Sequence, residues 1–194
     1  MLREKLNLKG IKLILGSQSP RRKELLSSLD LDFKVITKNV DETYPNGLSN
    51  KEIAEYLAKL KSSVFQPKED EIVITSDTIV CLGNSVLRKP KNSAQAAEML
   101  GNLSGNSHEV ITGVCIKSED KEITFSDTTI VNFKILSDNE IEYYINNYKP
   151  FDKAGSYGIQ EWIGQIGITK VEGSYFTVMG LPTHQVYKEL LKFC

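Results

Sequence analysis

Apolar positions along the chain switch repeatedly between the helical and the extended period, and the switches mark out the elements. An apolar run ends at Leu15, and a glycine, two hydroxyl residues and a proline then open a helix from Pro20 to Ser28, with Leu25, Leu26 and Leu29 inward. A short strand follows near Phe33–Ile36. Thr37 to Leu48 contains Asn39, Asp41, Pro45, Asn46 and Gly47 and reads as a loop carrying the acids Asp41 and Glu42. Ser49 and Glu52 form a capping box before a stripe of Ile53, Leu57, Leu60 and Val64, which predicts a helix that a polar turn at Pro67–Glu71 stops. Ile72 to Leu82 is rich in β-branched residues and predicts a central strand, with a break possible near Asp77.

Gly83-Asn84 is a turn, Val86-Leu87 returns, and Ser93 to Leu103 has helical spacing. Two long β segments, His108–Ile116 and Glu122–Leu136, are expected to pair as a hairpin. A second capping box, Ser137 with Glu140, opens a helix to about Tyr148 that Lys149-Pro150 ends. Asp152 to Gln160 is polar and glycine-rich, the composition of a loop that lets backbone approach a ligand. Strands are expected at Ile166–Val171 and Phe176–Val178, and a last helix from near Pro182, with Val186, Leu190 and Phe193 inward. The pattern is α/β with a mixed sheet.

Length and composition narrow this picture. With 194 residues, 40% of them apolar and 25% charged, the chain suits one well-cored domain. A formal net charge of -1 offers no global field for DNA, RNA or an anionic membrane, so any anionic ligand has to be held by a local cluster. The stretch from Met1 to Gly10 is charged throughout and lacks the apolar core of a signal peptide, and no other run approaches a membrane span. Cys81, Cys115 and Cys194 are odd in number and far apart, which suits reduced thiols and a cytoplasmic location. With His108 and His184 the only histidines, a zinc site is disfavoured, and a metal here would take oxygen ligands.

Candidate chemistry concentrates at a few positions. The strand-turn-helix at Ile14–Arg22 presents free N–H groups, the positive end of a helix dipole and the guanidiniums of Arg21 and Arg22, a plausible phosphate pocket without the spacing of the common phosphate loop. The same sequence also suits an ordinary strand-turn-helix with two solvated arginines. Asp77, inside an apolar β run, has to be hydrogen-bonded, paired or metal-bound if it is buried, and otherwise caps a strand break. Glu42 gains meaning only by meeting Asp77, since two carboxylates beside phosphates can share a hard divalent cation. Lys61 lies in register with Ala54, Ala58 and Phe65 at the edge of the buried stripe, where a snorkelling lysine is the plain alternative. Lys89, before Pro90, is similarly ambiguous. Lys153 and Gln160 flank the glycine-rich loop, where a glutamine amide can read a base edge by donating and accepting together, or both can be solvated. Cys81 and Cys115 fit small core positions, and neither histidine has a serine or cysteine partner motif.

Taken in order, these pieces resemble the Maf family of nucleoside triphosphate pyrophosphatases. The likeness rests on Ser17-Gln18-Ser19-Pro20-Arg21-Arg22-Lys23-Glu24-Leu25-Leu26, Val40-Asp41-Glu42, Ser76-Asp77-Thr78-Ile79-Val80, the block from Leu103 to Val114, Asp152 to Gln160, and the tail Val178-Met179-Gly180-Leu181-Pro182. It implies a mixed β-sheet flanked by helices, in a two-lobed single domain of Maf/ITPase-like fold with a central cleft. It implies hydrolysis of a nucleoside triphosphate to monophosphate and pyrophosphate, with Mg2+ or Mn2+. By the same resemblance Asp77 is the catalytic base, Glu42 a catalytic acid sharing the metal with Asp77, and Ser17, Ser19, Arg22, Lys61 and Lys89 contact phosphate. Arg21, Thr78 and Gln160 match positions linked to base selection, and Tyr157-Gly158-Ile159-Gln160 resembles the subgroup acting on dTTP and UTP. Two departures stand out: Arg88-Lys89-Pro90 where Gly-Lys-Pro is common, and Glu161-Trp162 where glycine often follows the glutamine. A homodimer is a family-level expectation. A second reading, a non-catalytic nucleotide-binding regulator of cell division, follows from the family's association with septum inhibition and would need the pocket but not the acids.

Overall fold

A computed structural model describes residues 10–193. The amino-terminal reading and Cys194 lie outside the described residues. A seven-stranded mixed sheet has the order β2-β1-β3-β5-β6-β7, with β4 paired to β3. Its strands are β1 (Lys12–Leu15), β2 (Phe33–Val35), β3 (Glu71–Leu82), β4 (Ser85–Leu87), β5 (Ser107–Lys117), β6 (Glu122–Phe133) and β7 (Ile168–Glu172). The helices are α1 (Pro20–Ser27), α2 (Asn50–Ser63), α3 (Ser93–Leu103), α4 (Asp138–Tyr148), α5 (Trp162–Gly167), α6 (Tyr175–Met179) and α7 (Thr183–Leu190). None is long and apolar enough to cross a membrane.

The chain forms two compact units. One holds the described residues through Asp77, Thr112–Asp127 and the chain from Gly180 on; the other holds Thr78–Ile111 and Thr128–Met179. In the first, β1 runs parallel to both β2 and β3, pairing Leu15 with Val35 and with Ile74. Its core gathers Leu15, Leu26, Ala54, Ala58 and Ile74, all fully buried. Gly113 of β5 lies against α2 so closely that a Cβ there would overlap the Ala54 carbonyl. In the second unit α3 and α4 pack on each other, and Leu100, Leu103, Tyr144 and Ile163 are fully buried.

Both capping boxes form as read: Ser49 with Glu52, and Ser137 with Glu140, each satisfy the orphan amides of a helix start. Helix α4 ends at Lys149, which takes a left-handed conformation (φ 45°) before Pro150. Four expectations need correction. Strand β3 runs unbroken through Asp77, because the acid is satisfied by a side-chain partner and needs no turn. Strand β6 stops at Phe133 at an irregular register, where Lys134 donates its amide to Gly167. Phe176–Val178 is part of helix α6, not a strand. Glycines at positive φ, Gly173 and Gly180, bracket that segment, and the Ser174 carbonyl accepts the Thr177 amide, so local turns override its β-type composition. The expected strand at Ile166–Val171 begins at Ile168, since Gly164 and Gly167 let the preceding turn of helix pack tightly.

Candidate active site

Strand β1 delivers the chain to Gly16, whose amide still bonds the Ile74 carbonyl at 2.8 Å. A Cβ on Gly16 would come within 2.7 Å of the Thr75 methyl, so a residue without a side chain lets the turn leave the sheet here. Ser17 is buried, and its hydroxyl accepts from the Ser19 amide at 3.2 Å and from Arg22 Nη1 at 3.3 Å. Ser19 is the N-cap of α1, accepting the Arg22 amide, and Pro20 is the first helical residue. The two serines therefore shape the turn and orient an arginine.

Arg22 is half-buried, and its Nε donates to the Gly180 carbonyl at 2.9 Å. The same oxygen accepts from the Ser76 hydroxyl at 3.3 Å. Gly180 has φ 110°, a conformation that favours glycine and turns its carbonyl toward both donors. Burial pulls the Arg22 pKa below its ordinary value, the neighbouring Asp77 opposes that, and Arg21 adds to it. Neither arginine is a loose surface charge of the kind the plain alternative assumed.

Asp77 is 8% exposed, and its Oδ1 accepts from Lys61 Nζ at 2.5 Å. The same Nζ lies 3.0 Å from Glu42 Oε1. Helix α2 supplies the lysine, the loop before it the glutamate, and β3 the aspartate. One ammonium thus holds two carboxylates, and the three groups come from three separate segments. The Lys61 side chain is 18% exposed, so the snorkelling alternative gives way to a paired, largely buried cation. Among the described residues no group of three or more His, Cys, Asp or Glu is placed to hold a metal ion.

Thr78, Lys89 and Gln160 belong to the second unit. Thr78 is half-buried on β3, and Lys89 is exposed beyond β4. The glycine-rich loop is ordered by a single 3-10 turn at Ala154–Ser156. Lys153, 8% exposed, pairs with Asp152 Oδ1 at 2.7 Å and with Glu161 Oε1 at 3.1 Å, so it is not a solvated loop residue. Gln160 is half-buried, has an Oε1 without a hydrogen-bond partner among the described residues, and borders a cavity of about 340 Å3 with Gly164, Gln165 and Tyr175. Cys81 and Cys115 are buried as expected, and burial pushes the Cys81 thiol up to about 12, which makes it inert as a nucleophile.

Sequence reading overlooked Ser76, the Gly180 carbonyl, Tyr144 and Glu161 as partners of these groups. Ser76 and Gly180 lie inside motif blocks already noted, but their bond spans 104 positions and no local spacing announces it.

The Maf-like protein profile matches residues 12–193. A dTTP/UTP pyrophosphatase of Flavobacterium psychrophilum is 53% identical over 193 residues, covering 98% of each chain. That of Flavobacterium johnsoniae is 53% identical over 192 residues at the same coverage, and that of Porphyromonas gingivalis is 49% identical over 192 residues, with 96% of each chain covered. The matched range includes the Ser17–Arg22 turn, Glu42, Asp77 and the glycine-rich loop of this chain, and the chain belongs to the Maf-like protein family.

Proposed function

We propose that this protein hydrolyses dTTP and UTP to the nucleoside monophosphate and pyrophosphate. The observation that carries the reading is the pair of carboxylates, Glu42 and Asp77, held around one cation near the half-buried Arg22. A site that merely bound a polyanion would gain nothing from two acids. The curated relatives named dTTP/UTP pyrophosphatase support the choice of substrate.

The two acids also fit a hard divalent ion, which takes one or two carboxylates and completes its shell with water and phosphate oxygens. Their shared Lys61 ammonium marks a place where both already face one positive charge. Bound there, Mg2+ or Mn2+ would polarise phosphoryl oxygen and water. Arg22 and Lys61 neutralise charge on the polyphosphate, which weakens the bond to the leaving group. The polyanion gives Lys61 a new partner, and the transfer of its ammonium to phosphate frees Asp77. Asp77 then accepts a proton from the water whose oxygen attacks the α-phosphorus, as the bond from that phosphorus to the bridging oxygen breaks and pyrophosphate departs. Ser17 and Ser19 hold the turn against the phosphates. In the second unit we assign Lys89 to phosphate contact and Thr78 and Gln160, with Arg21 of the first, to base selection, the roles the family resemblance implies.

The test is a panel of nucleoside triphosphates incubated with the full chain and Mg2+ or Mn2+, with the phosphate product identified. Pyrophosphate released fastest from dTTP and UTP is expected. Orthophosphate alone would overturn the reaction, and no turnover by folded protein would favour the regulator.

A further inference from the structure

Residues 152–161 are closed by side chains that the roles above leave unused. Tyr144, fully buried on α4, donates its hydroxyl hydrogen to Glu161 Oε2 and accepts the Gly158 amide at 3.1 Å. The other oxygen of Glu161, Oε1, is 3.1 Å from the Lys153 ammonium. The loop is therefore tied at its start through Lys153, in its middle through Gly158, and at its end through Glu161. The glutamate side chain is 19% exposed and that of the lysine 9%, so solvent screens this pair little. Gly158 leaves no room for slack: a Cβ there would sit 2.9 Å from Glu161 Cδ and 3.2 Å from Gln160 Nε2.

Gln160 lies directly before the glutamate that closes this ring. A glutamine amide tells a pyrimidine edge from a purine edge only if its acceptor and donor are held in fixed places, since a mobile amide would satisfy either. Gln160 Oε1 has no hydrogen-bond partner among the described residues, so its position comes from the backbone that carries it. We propose that Tyr144, Glu161 and Lys153 are positioning residues that fix Gln160 and so set the selection of uracil and thymine over purine bases. The inference rests on Gln160 as the reader of the base. Glu161 joins the ring's two ends, because it accepts from Tyr144 and pairs with Lys153 at once.

The experiment compares Tyr144→Phe, Glu161→Gln and Gln160→Ala in the full chain, reading kcat/KM for UTP and for GTP with Mg2+. Tyr144→Phe and Glu161→Gln are each expected to lower the UTP-to-GTP ratio about tenfold, mostly through a higher KM for UTP, the size expected when a recognition group loses its fixed geometry. Gln160→Ala should lower it at least as far, and adding Tyr144→Phe to it should change nothing more, because both act through one group. A merely structural role would shift the urea midpoint and leave the ratio alone. If Gln160→Ala lowers the ratio and the other two variants do not, the positioning role is wrong. If Gln160→Ala leaves the ratio unchanged, the base-reading assignment falls, and the purpose given to the ring falls with it. Should Glu161→Gln fail to fold by circular dichroism, Tyr144→Phe decides, as it removes one oxygen atom from a filled site.

Discussion

Lowering the pH from 7 to 4 should remove about 3 kcal/mol of stability through His108 alone. The ring is 2% exposed, lies 5.6 Å from the Phe133 ring, and has Nε2 2.8 Å from the Tyr157 hydroxyl. Nδ1 has no hydrogen-bond partner among the described residues. Protonation would place a charge and an unanswered N–H in an apolar pocket, and burial accordingly lowers the His108 pKa from 6.5 to about 4. The unfolded chain then binds one proton more than the folded one between those values. The contribution to stability is therefore complete above pH 6.5 and is lost as pH falls toward 4, at up to about 1.4 kcal/mol per pH unit. Urea midpoints of the parent and of His108→Gln, followed by fluorescence from pH 7 to 4, isolate it. The glutamine variant keeps a nitrogen near Nε2 but does not titrate, and carboxylates common to both proteins cancel in the difference. The advantage of the parent should shrink by about 3 kcal/mol across the range. Parallel curves would refute the reasoning.

Asp77→Asn should cut kcat for UTP by about 10²–10⁴-fold with the far-UV spectrum unchanged, and near-parental turnover would remove Asp77 as the base. Lys61→Met strands Asp77, whose side chain is 12% exposed, without its partner. It should lower stability by about 2–3 kcal/mol, below the full value for a buried pair because Glu42 is half open to water, and equal urea midpoints would contradict it. Gly113→Ala should lower the thermal midpoint sharply, since the added methyl meets backbone at Ala54 rather than a movable side chain. An unchanged midpoint would show that α2 can shift away.

Elements with local signals were legible in the sequence. Two capping boxes announced the starts of α2 and α4, the helix over Ser93–Leu103 matched its spacing, and β-branched runs announced β3 and β5. The need for a partner at Asp77 followed from burying an acid in such a run. Its identity did not, because Lys61 lies on another element and its pattern suited a surface stem equally well. Helix α6 was misread for the reverse reason: Phe176 and Val178 look extended, and only the turns at Gly173 and Gly180 decide otherwise. The bond from Arg22 to Gly180 crosses 158 positions and leaves no periodicity to read.

That last bond has a consequence for the order of events during synthesis. Domains assemble as units while the chain emerges from its amino end. Arg22 is made 158 positions before its carbonyl acceptor, shared with Ser76, which arrives with Gly180 just ahead of α7. A nascent chain that has not yet released residue 180 carries the arginine, the lysine and both acids without the strut that aims the guanidinium. A chain stopped short of that residue should keep the phosphate-facing charges and lack this strut, so the proposed catalytic competence waits until Gly180 has been made.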